Sequence, residues 1–229
     1  MSALLEAPAF GITLTVIAYW IGVKIQQKTK LAICNYMIIA VAVVVAVLTI
    51  FHIPYDAYYK GGSVINMFLG PATACMAVTI YSKRDLLKKN WLPVLVGCTA
   101  GAVTSVGSIL VMSRLFGLDD AMTVSLLPKS VTTPIASVIS EGHGGIVSIT
   151  VAAVMFTGIL GNLAAPFLVK LFRVRDPLAV GLGIGACSHA VGTAKALEMG
   201  ETEGAMGGLA IGLCGIITTI LSLFFELLV

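Results

Sequence analysis

Charged side chains are scarce in this sequence. They make up 11% of its 229 residues, whereas 58% of the residues are hydrophobic and the mean hydropathy is +1.02. A soluble globular domain carries about 25% charged residues. So few charges cannot cover a folded chain with polar surface, which excludes a soluble domain and predicts an integral protein of the lipid bilayer. No polar stretch is long enough for a second domain, so residues 1–229 are expected to form a single transmembrane domain.

Motifs of catalysis and metal binding are also missing. The sequence has no Ser/His/Asp order, no HExxH and no paired intramembrane aspartates, so we expect no enzymatic activity. Its five cysteines lie inside apolar runs without metal-ligand spacing, which predicts neither zinc sites nor disulfides. The glycines of GLGIGA at 181–186 lack the third glycine and the βαβ context of a dinucleotide site. No metal or cofactor is therefore predicted.

Two further absences concern partners and targeting. The basic residues are not interleaved with aromatic residues, so nucleic acid is not an expected partner. The N-terminal MSALLEAPAF has no basic region and carries Glu6, so we expect the start of a mature membrane protein rather than a cleaved signal peptide. The bilayer is the one partner that the composition itself predicts.

Apolar runs of membrane-spanning length fill most of the chain. A helix needs about 20 residues to cross a hydrocarbon core of about 30 Å. Because unpaired backbone groups are too costly in lipid, such runs are expected to be continuous helices. The sequence therefore predicts an all-α membrane protein, a polytopic bundle of about seven transmembrane helices, over residues 9–25, 31–51, 64–81, 91–112, 146–172, 178–197 and 205–229.

The segment 121–140 does not fit a single crossing. If it crossed once, the cations after the next span (Lys170, Arg173 and Arg175) would lie outside, against the positive-inside rule. If it dips into the membrane and returns to the same side, those cations lie in the cytoplasm. The charge pattern therefore favours a re-entrant hairpin. The earlier cations lie on the cytoplasmic side in the same topology. They are Lys24, Lys28, Lys30, Lys83, Arg84, Lys88 and Lys89.

Two prolines predict where the backbone of this hairpin breaks. Pro128 cannot donate to a helix ladder, and Pro134 biases Thr133 away from helical geometry. A second helix should then begin with Thr132 or Thr133 as its N-cap and with Pro134 at its first helical position. Irregular backbone at membrane depth is tolerated only where it is buried or lines a watery cavity, so this break is a candidate binding site.

Two other segments show weaker interruptions of the same kind. One is GPAT at 70–73, which includes Thr73, and the other is the glycine-rich stretch 181–200. Paired interruptions in the two halves of a chain are typical of inverted-repeat transporters. They favour an inverted-repeat, elevator-like transporter, in which smooth glycine faces would allow helices to slide.

Lys129 is the sharpest candidate for ligand binding. A lysine at a helix break inside the membrane is expensive, and intramembrane ionisable residues are functional by default. The positive end of the helix at Pro134 and the hydroxyls of Ser130, Thr132 and Thr133 add donors. Together they suit a small anion, most naturally a carboxylate. The alternative is that Lys129 snorkels to the interface and that the prolines and threonines only shape a turn.

A second candidate group surrounds His189. It lies with Ser188, Gly192 and Thr193 in the glycine-rich stretch, where a histidine could relay protons or bind substrate because it titrates near physiological pH. The alternative is a packing histidine held by a hydrogen bond. Asn162, in the middle of a predicted span, could reach the same cavity or only bond between helices.

Five motifs spread over nearly the whole chain carry a family resemblance. They are YDAYYKGG at 55–62, LLPKSVTTPIA at 126–136, the glycine span at 158–164, ACSHAVGTAKALE at 186–198 and LCGIITTIL at 213–221. This set resembles the LrgB/CidB family. The resemblance implies a protein of the bacterial inner membrane. Members of this family have long been described as antiholin-like or holin-like modulators of murein hydrolase export and cell lysis.

The resemblance also implies a substrate class and a partner. Plant plastid relatives move glycolate and glycerate, and some bacterial pairs are implicated in pyruvate transport. Bacterial members are usually made alongside a smaller membrane protein of the LrgA/CidA type. We therefore expect an ion- or proton-coupled, alternating-access transporter of small monocarboxylates such as glycolate, glycerate, pyruvate or lactate.

Two rival functions remain open at the level of sequence. A holin-related regulator would act by assembly or pore formation without a substrate, and a scaffold would only bind a partner protein. Neither rival needs a helix break that carries a lysine. A homo-oligomer is compatible with all three functions.

Overall fold

Within the described residues, all regular structure is α-helical. The computed structural model describes residues 7–29, 36–68, 70–71, 74, 78, 81–82 and 84–229. The helices are α1 Pro8–Thr29, α2 Tyr36–Ile50, α3 Tyr55–Asn66, α4 Arg84–Lys89, α5 Trp91–Phe116, α6 Asp120–Leu126, α7 Thr133–Gly142, α8 Val147–Leu171, α9 Pro177–Met199, α10 Glu201–Ser222 and α11 Phe225–Leu228. The chain forms two compact units, 1–73 and 74–229.

Five of these helices are long and apolar enough to cross a membrane, namely α1, α5, α8, α9 and α10. They match five of the seven predicted spans. The predicted span 31–51 corresponds to α2, an apolar helix whose 15 described residues are fewer than a membrane span needs. Eight of the 18 residues of the predicted span 64–81 lie outside the described residues. The last predicted span, 205–229, is interrupted at Leu223 and Phe224, so its end forms the separate short helix α11.

The unit 1–73 is built on α1, which packs against both α2 and α3. At the crossing of α1 and α3 the backbones approach closely, because a Cβ added to Gly61 would lie 2.7 Å from Gly11 Cα. The hydroxyls of Thr15 and Tyr58 are 2.9 Å apart at the same crossing. Most of the segment 52–62, which separates two predicted spans, belongs to α3. Packing against α1 stabilises this helix, and such tertiary contacts cannot be seen in the sequence.

In the unit 74–229, α5 and α10 run in the same direction. Val94 and Met206, near the two helix starts, share one hydrophobic cluster. Ile109 and Phe225, near the two helix ends, share another. The end of the unit that holds these helix starts is called the cationic end below, because α5 follows the segment with Arg84, Lys88 and Lys89.

Helices α6 and α7 form hairpin 1, whose turn lies beside the middle of α5. The hydroxyls of Ser105 in α5 and Ser130 in the turn are 2.7 Å apart. The two arms are fixed to the start of α8. The backbone N–H of Ile146 donates to Ser125 Oγ at 2.6 Å, and the Thr150 hydroxyl donates to Ser140 Oγ at 2.7 Å. The chain thus leaves the far end of α5, reaches its middle and returns.

Helix α9 is two arms, which we call hairpin 2, and this corrects the prediction of one continuous span at 178–197. The backbone is non-helical at Ser188 (φ −134°, ψ 15°) and His189 (φ 41°, ψ −140°). A Cβ added to Gly204 would lie 2.8 Å from Leu197 Cα, and one added to Gly181 would lie 2.9 Å from the carbonyl carbon of Glu203. In a straight helix Gly181 and Leu197 would be about 24 Å apart. Both arms therefore lie against the first turns of α10.

Helix α8 packs along both arms of hairpin 2 and reaches its turn. Ala165 shares a cluster with Ile184 of the first arm and Ala196 of the second. Nearer the start of α8, the carbonyl of Val154 accepts a 2.9 Å hydrogen bond from Nε2 of His189. The base of hairpin 2 is therefore at the cationic end, opposite to the base of hairpin 1, and the turns of both hairpins lie at mid-height.

The positive φ of His189 predicts an inverted order of stability for two substitutions. Glycine in a regular helix is about 1 kcal/mol less stable than alanine, but at a positive φ alanine is strained and glycine is not. We expect purified His189→Gly to have a higher melting temperature in detergent than His189→Ala. Ala190→Gly, one residue further in regular helix, is the control and should melt below the wild type. A His189→Gly protein that melts below His189→Ala would contradict the reversal at this residue.

Candidate functional site

The turn of hairpin 1 follows from its two prolines. After Leu127 the helix gives way to turns in which the N–H of Lys129 donates to Leu126 O and that of Val131 to Pro128 O, both at 3.2 Å. Thr132 takes extended geometry (φ −67°, ψ 149°) as the N-cap of α7. The predicted break and the predicted N-cap are thereby confirmed. Pro134 occupies the second helical position rather than the first, because Thr133 already has helical geometry.

The turn of hairpin 2 is made by Ser188 and His189 with room supplied by α8. A Cβ added to Gly158 would lie 2.6 Å from His189 Cε1, and one added to Gly161 would overlap the Ser188 side chain. Both side chains are buried, with exposed fractions of 3% for Ser188 and 5% for His189. The Nε2 of His189 carries the proton that it donates to Val154 O. The glycines of α8 are therefore what allow the turn to lie inside the unit.

The two turns meet. The Lys129 ammonium of hairpin 1 and the thiol of Cys187, the last residue before the turn of hairpin 2, lie within electrostatic range of each other. Val154 of α8 packs against Val131 and Ala136 of hairpin 1, and its carbonyl holds His189 of hairpin 2. The structure thus brings together the two segments that the sequence pointed to separately, around Lys129 and around His189.

Lys129 carries a positive charge into this meeting point without a compensating carboxylate. Its ammonium donates a 3.4 Å hydrogen bond to Ser130 Oγ. Arg84 forms an ion pair with Asp85 and Lys195 forms one with Glu198, and neither pair involves Lys129. None of the described buried polar residues is acidic. The charge of Lys129 therefore lacks a counter-ion, and an anion from outside the chain would supply one.

Two buried hydroxyls close to the turns also lack partners. Thr132 Oγ1 and Thr193 Oγ1 are buried and form no hydrogen bond with any described residue. Thr132 is the N-cap of α7, but its side chain makes no capping hydrogen bond. Thr193 lies one turn after the break of hairpin 2. Because an unsatisfied buried hydroxyl costs about 1–3 kcal/mol, each hydroxyl is a candidate to bind a polar ligand atom.

The remaining predicted site residues fall into three groups. Asn162 donates a 3.0 Å hydrogen bond from Nδ2 to Val191 O, so it joins α8 to the second arm of hairpin 2. Gly192 is buried against the Ser188 side chain, where a Cβ would overlap it. Thr133 is only partly buried, at the start of α7. Thr73 lies outside the described residues.

Three residues of this site were not predicted from the sequence. Ser105 bonds to Ser130, Val154 touches both hairpins, and Cys187 faces Lys129. Ser105 and Val154 lie in long apolar helices where nothing local marks them. Only Cys187 had a signal, since it belongs to the ACSHAVGTAKALE motif. Among the described residues no group of His, Cys, Asp and Glu is arranged to hold a metal ion.

Known proteins similar to this chain agree on one family. The LrgB-like family model matches residues 15–227. The uncharacterized protein YxaC of Bacillus subtilis (strain 168) is 37% identical over 206 residues, which is 90% of each chain. The antiholin-like protein LrgB of the same strain is 35% identical over 224 residues, 97% of each chain. The antiholin-like protein LrgB of Bacillus cereus (strain B4264) is 36% identical over 214 residues, 93% of each chain.

No solved structure is significantly similar to the chain. The family match covers both compact units and includes the turns of both hairpins. The motifs that resembled LrgB/CidB proteins are thus confirmed as a family signature. This helical protein with candidate membrane spans belongs to the LrgB-like family.

Proposed function

We propose that this protein transports small monocarboxylates across the bacterial cytoplasmic membrane by alternating access. The observation that carries the proposal is the unpaired ammonium of Lys129 where the turns of the two hairpins meet. Lys129 is partly buried, burial of a charge without a counter-ion is costly, and an intramembrane charge normally marks a substrate or ion pathway. A bound carboxylate offsets that cost.

The groups around Lys129 favour a small hydroxy or keto acid as the substrate. The ammonium binds the carboxylate together with the free N–H groups at the start of α7. The unpartnered hydroxyls of Thr132 and Thr193, and the buried Ser130 and Ser188, are donors and acceptors for a hydroxyl or keto oxygen. Glycolate, glycerate, pyruvate and lactate share this chemistry.

His189 is the proposed carrier of a coupling proton. Its Nε2 is committed to Val154 O, which leaves Nδ1 to gain or lose a proton. Since the same hydrogen bond holds the ring beside the turn, a change of charge on His189 would act on the binding site directly. Substrate binding and protonation would then be coupled through hairpin 2.

The second candidate function is regulation of lysis, which the names of the relatives indicate. Those relatives are called antiholin-like proteins. A regulator that works by assembly, alone or with a small membrane partner of the LrgA/CidA type, needs contact surfaces. It has no need for an unpaired cation enclosed by two hairpins, so the site favours transport, with effects on lysis following from it.

Both hairpins are proposed to be re-entrant in the membrane. Hairpin 1 would enter from the outer face and hairpin 2 from the cytoplasmic face, so that their turns meet near the bilayer midplane. The cations at 84–89 and 170–175 then all lie in the cytoplasm, in agreement with the positive-inside rule. Non-helical backbone at that depth is covered by α5 and α8.

Removal of the Lys129 charge should abolish transport. We expect Lys129→Met, which keeps the apolar stem of the side chain, to lower uptake of labelled glycolate and pyruvate into proteoliposomes by at least about tenfold, equivalent to about 1.4 kcal/mol of binding. Lys170→Met, at an exposed lysine in the last turn of α8, is the matched control and should transport like the wild type. No wild-type uptake under any imposed ion gradient would refute the proposed function, and full uptake by folded Lys129→Met would refute the site.

The proposed topology is tested by single cysteines in a variant whose five native cysteines are serine. Leu118→Cys and Glu141→Cys flank hairpin 1, and Val174→Cys and Glu201→Cys flank hairpin 2. An impermeant thiol reagent added to intact cells should label the first pair and spare the second until the membrane is opened. A split within either pair would mean that the corresponding hairpin crosses the membrane.

A further inference from the structure

A cleft of about 470 Å³ lies between α5 and the first arm of hairpin 2. Asn90 and Asp176 line it at the cationic end, and Cys187 lines it near the turn of hairpin 2. Its walls between these points include Gly97 and Gly183. The cleft therefore extends from the base of hairpin 2 to the level of its turn.

We propose that this cleft is the path by which a small carboxylate moves between the water at the cationic end and the turns of the two hairpins. The inference rests on the proposed function and adds a route and a direction of access to it. In this conformation the site is open toward the cationic end and closed toward the opposite end.

Both walls at the inner end of the cleft are continuous with residues of the candidate site. On one wall, Cys187 directly precedes Ser188 and interacts with the Lys129 ammonium. On the other wall, Gly101 lies one helical turn before Ser105, whose hydroxyl bonds to Ser130 in hairpin 1. A solute that reached Cys187 would therefore already be beside both turns.

The mouth of the cleft suits an anion. Lys88 and Lys89 directly precede Asn90 on one side, and Arg175 directly precedes Asp176 on the other. The one carboxylate at the mouth, that of Asp176, accepts a 2.9 Å hydrogen bond from the N–H of Leu178 and so faces the positive end of α9. Clustered cations at a cleft raise the local concentration of anions.

The opposite end of the unit 74–229 has a smaller cavity that stops short of the site. Its volume is about 270 Å³, and its lining includes Arg114, Asp120 and Thr123 but no residue from the turn of hairpin 1. The arms of hairpin 1 are tied to α8 through Ser125 and Ser140. This cavity therefore gives no route from the opposite end to the turn of hairpin 1.

Gly183 allows the cleft to be filled without disturbing the packing. A Cβ added there has no neighbour within 4 Å, and the same holds for Gly107, a glycine of α5 that does not line the cleft. We expect Gly183→Phe to lower glycolate uptake into proteoliposomes at least about tenfold, because the ring occupies the path. Gly183→Ala adds only one methyl group, and the matched control Gly107→Phe places its ring outside the cleft. Both should transport within about twofold of the wild type, a difference of less than 1 kcal/mol.

A second readout separates this inference from the proposed function. In a Cys34→Ser, Cys75→Ser background, Cys187 is the exposed thiol, because Cys98 and Cys214 are buried. A negatively charged thiol reagent should modify Cys187 from the cationic end, and Gly183→Phe should slow that reaction while Gly107→Phe does not. Unchanged Cys187 labelling in Gly183→Phe overturns the path, whether or not uptake falls. Absent wild-type uptake with slowed labelling refutes transport but still identifies the cleft as the aqueous route to the turns.

Discussion

Polar backbone where a helix reverses direction inside a folded unit has to be hydrogen-bonded or covered by other helices, and the arrangement of residues 74–229 meets that requirement. Each hairpin turn leaves polar groups that its own arms cannot bond, including the hydroxyls of Thr132 and Thr193. The turns are covered by α5 through Ser105, by α8 through Val154, and by each other. The enclosure that satisfies this requirement also creates a polar site around Lys129.

The same requirement explains why the two hairpins come from opposite ends. If both entered from one end, their turns would compete for the same side of α5 and α8. In the structure, α5 is followed by hairpin 1 and α8 is followed by hairpin 2. The pair of α8 and hairpin 2 runs in the direction opposite to the pair of α5 and hairpin 1. Such inverted pairs place binding sites between them in secondary transporters. Gly158 and Gly161 permit the close approach of α8 to the turn of hairpin 2.

Hairpin 1 could be predicted from the sequence, whereas for hairpin 2 the sequence indicated only an interruption within 181–200 and not a reversal. Two prolines and a lysine mark the turn of hairpin 1 locally, and flanking cations fix the side of its ends. The reversal in hairpin 2 takes only Ser188 and His189, without a proline, inside an apolar stretch as long as a membrane span. It is fixed by contacts with α8 and α10 that lie far away in sequence. The meeting of Lys129 with Cys187 is likewise a tertiary feature, so only its separate halves were predictable.

The most direct test of one carboxylate site shared by both hairpins is ligand protection of Cys187. The rate of its modification by a thiol reagent, in the Cys34→Ser, Cys75→Ser background, is measured with glycolate, with its neutral amide and without ligand. The account predicts that glycolate slows the reaction, that the amide does not, and that Lys129→Met removes the protection. Equal rates with and without glycolate, or protection that survives Lys129→Met, would contradict it.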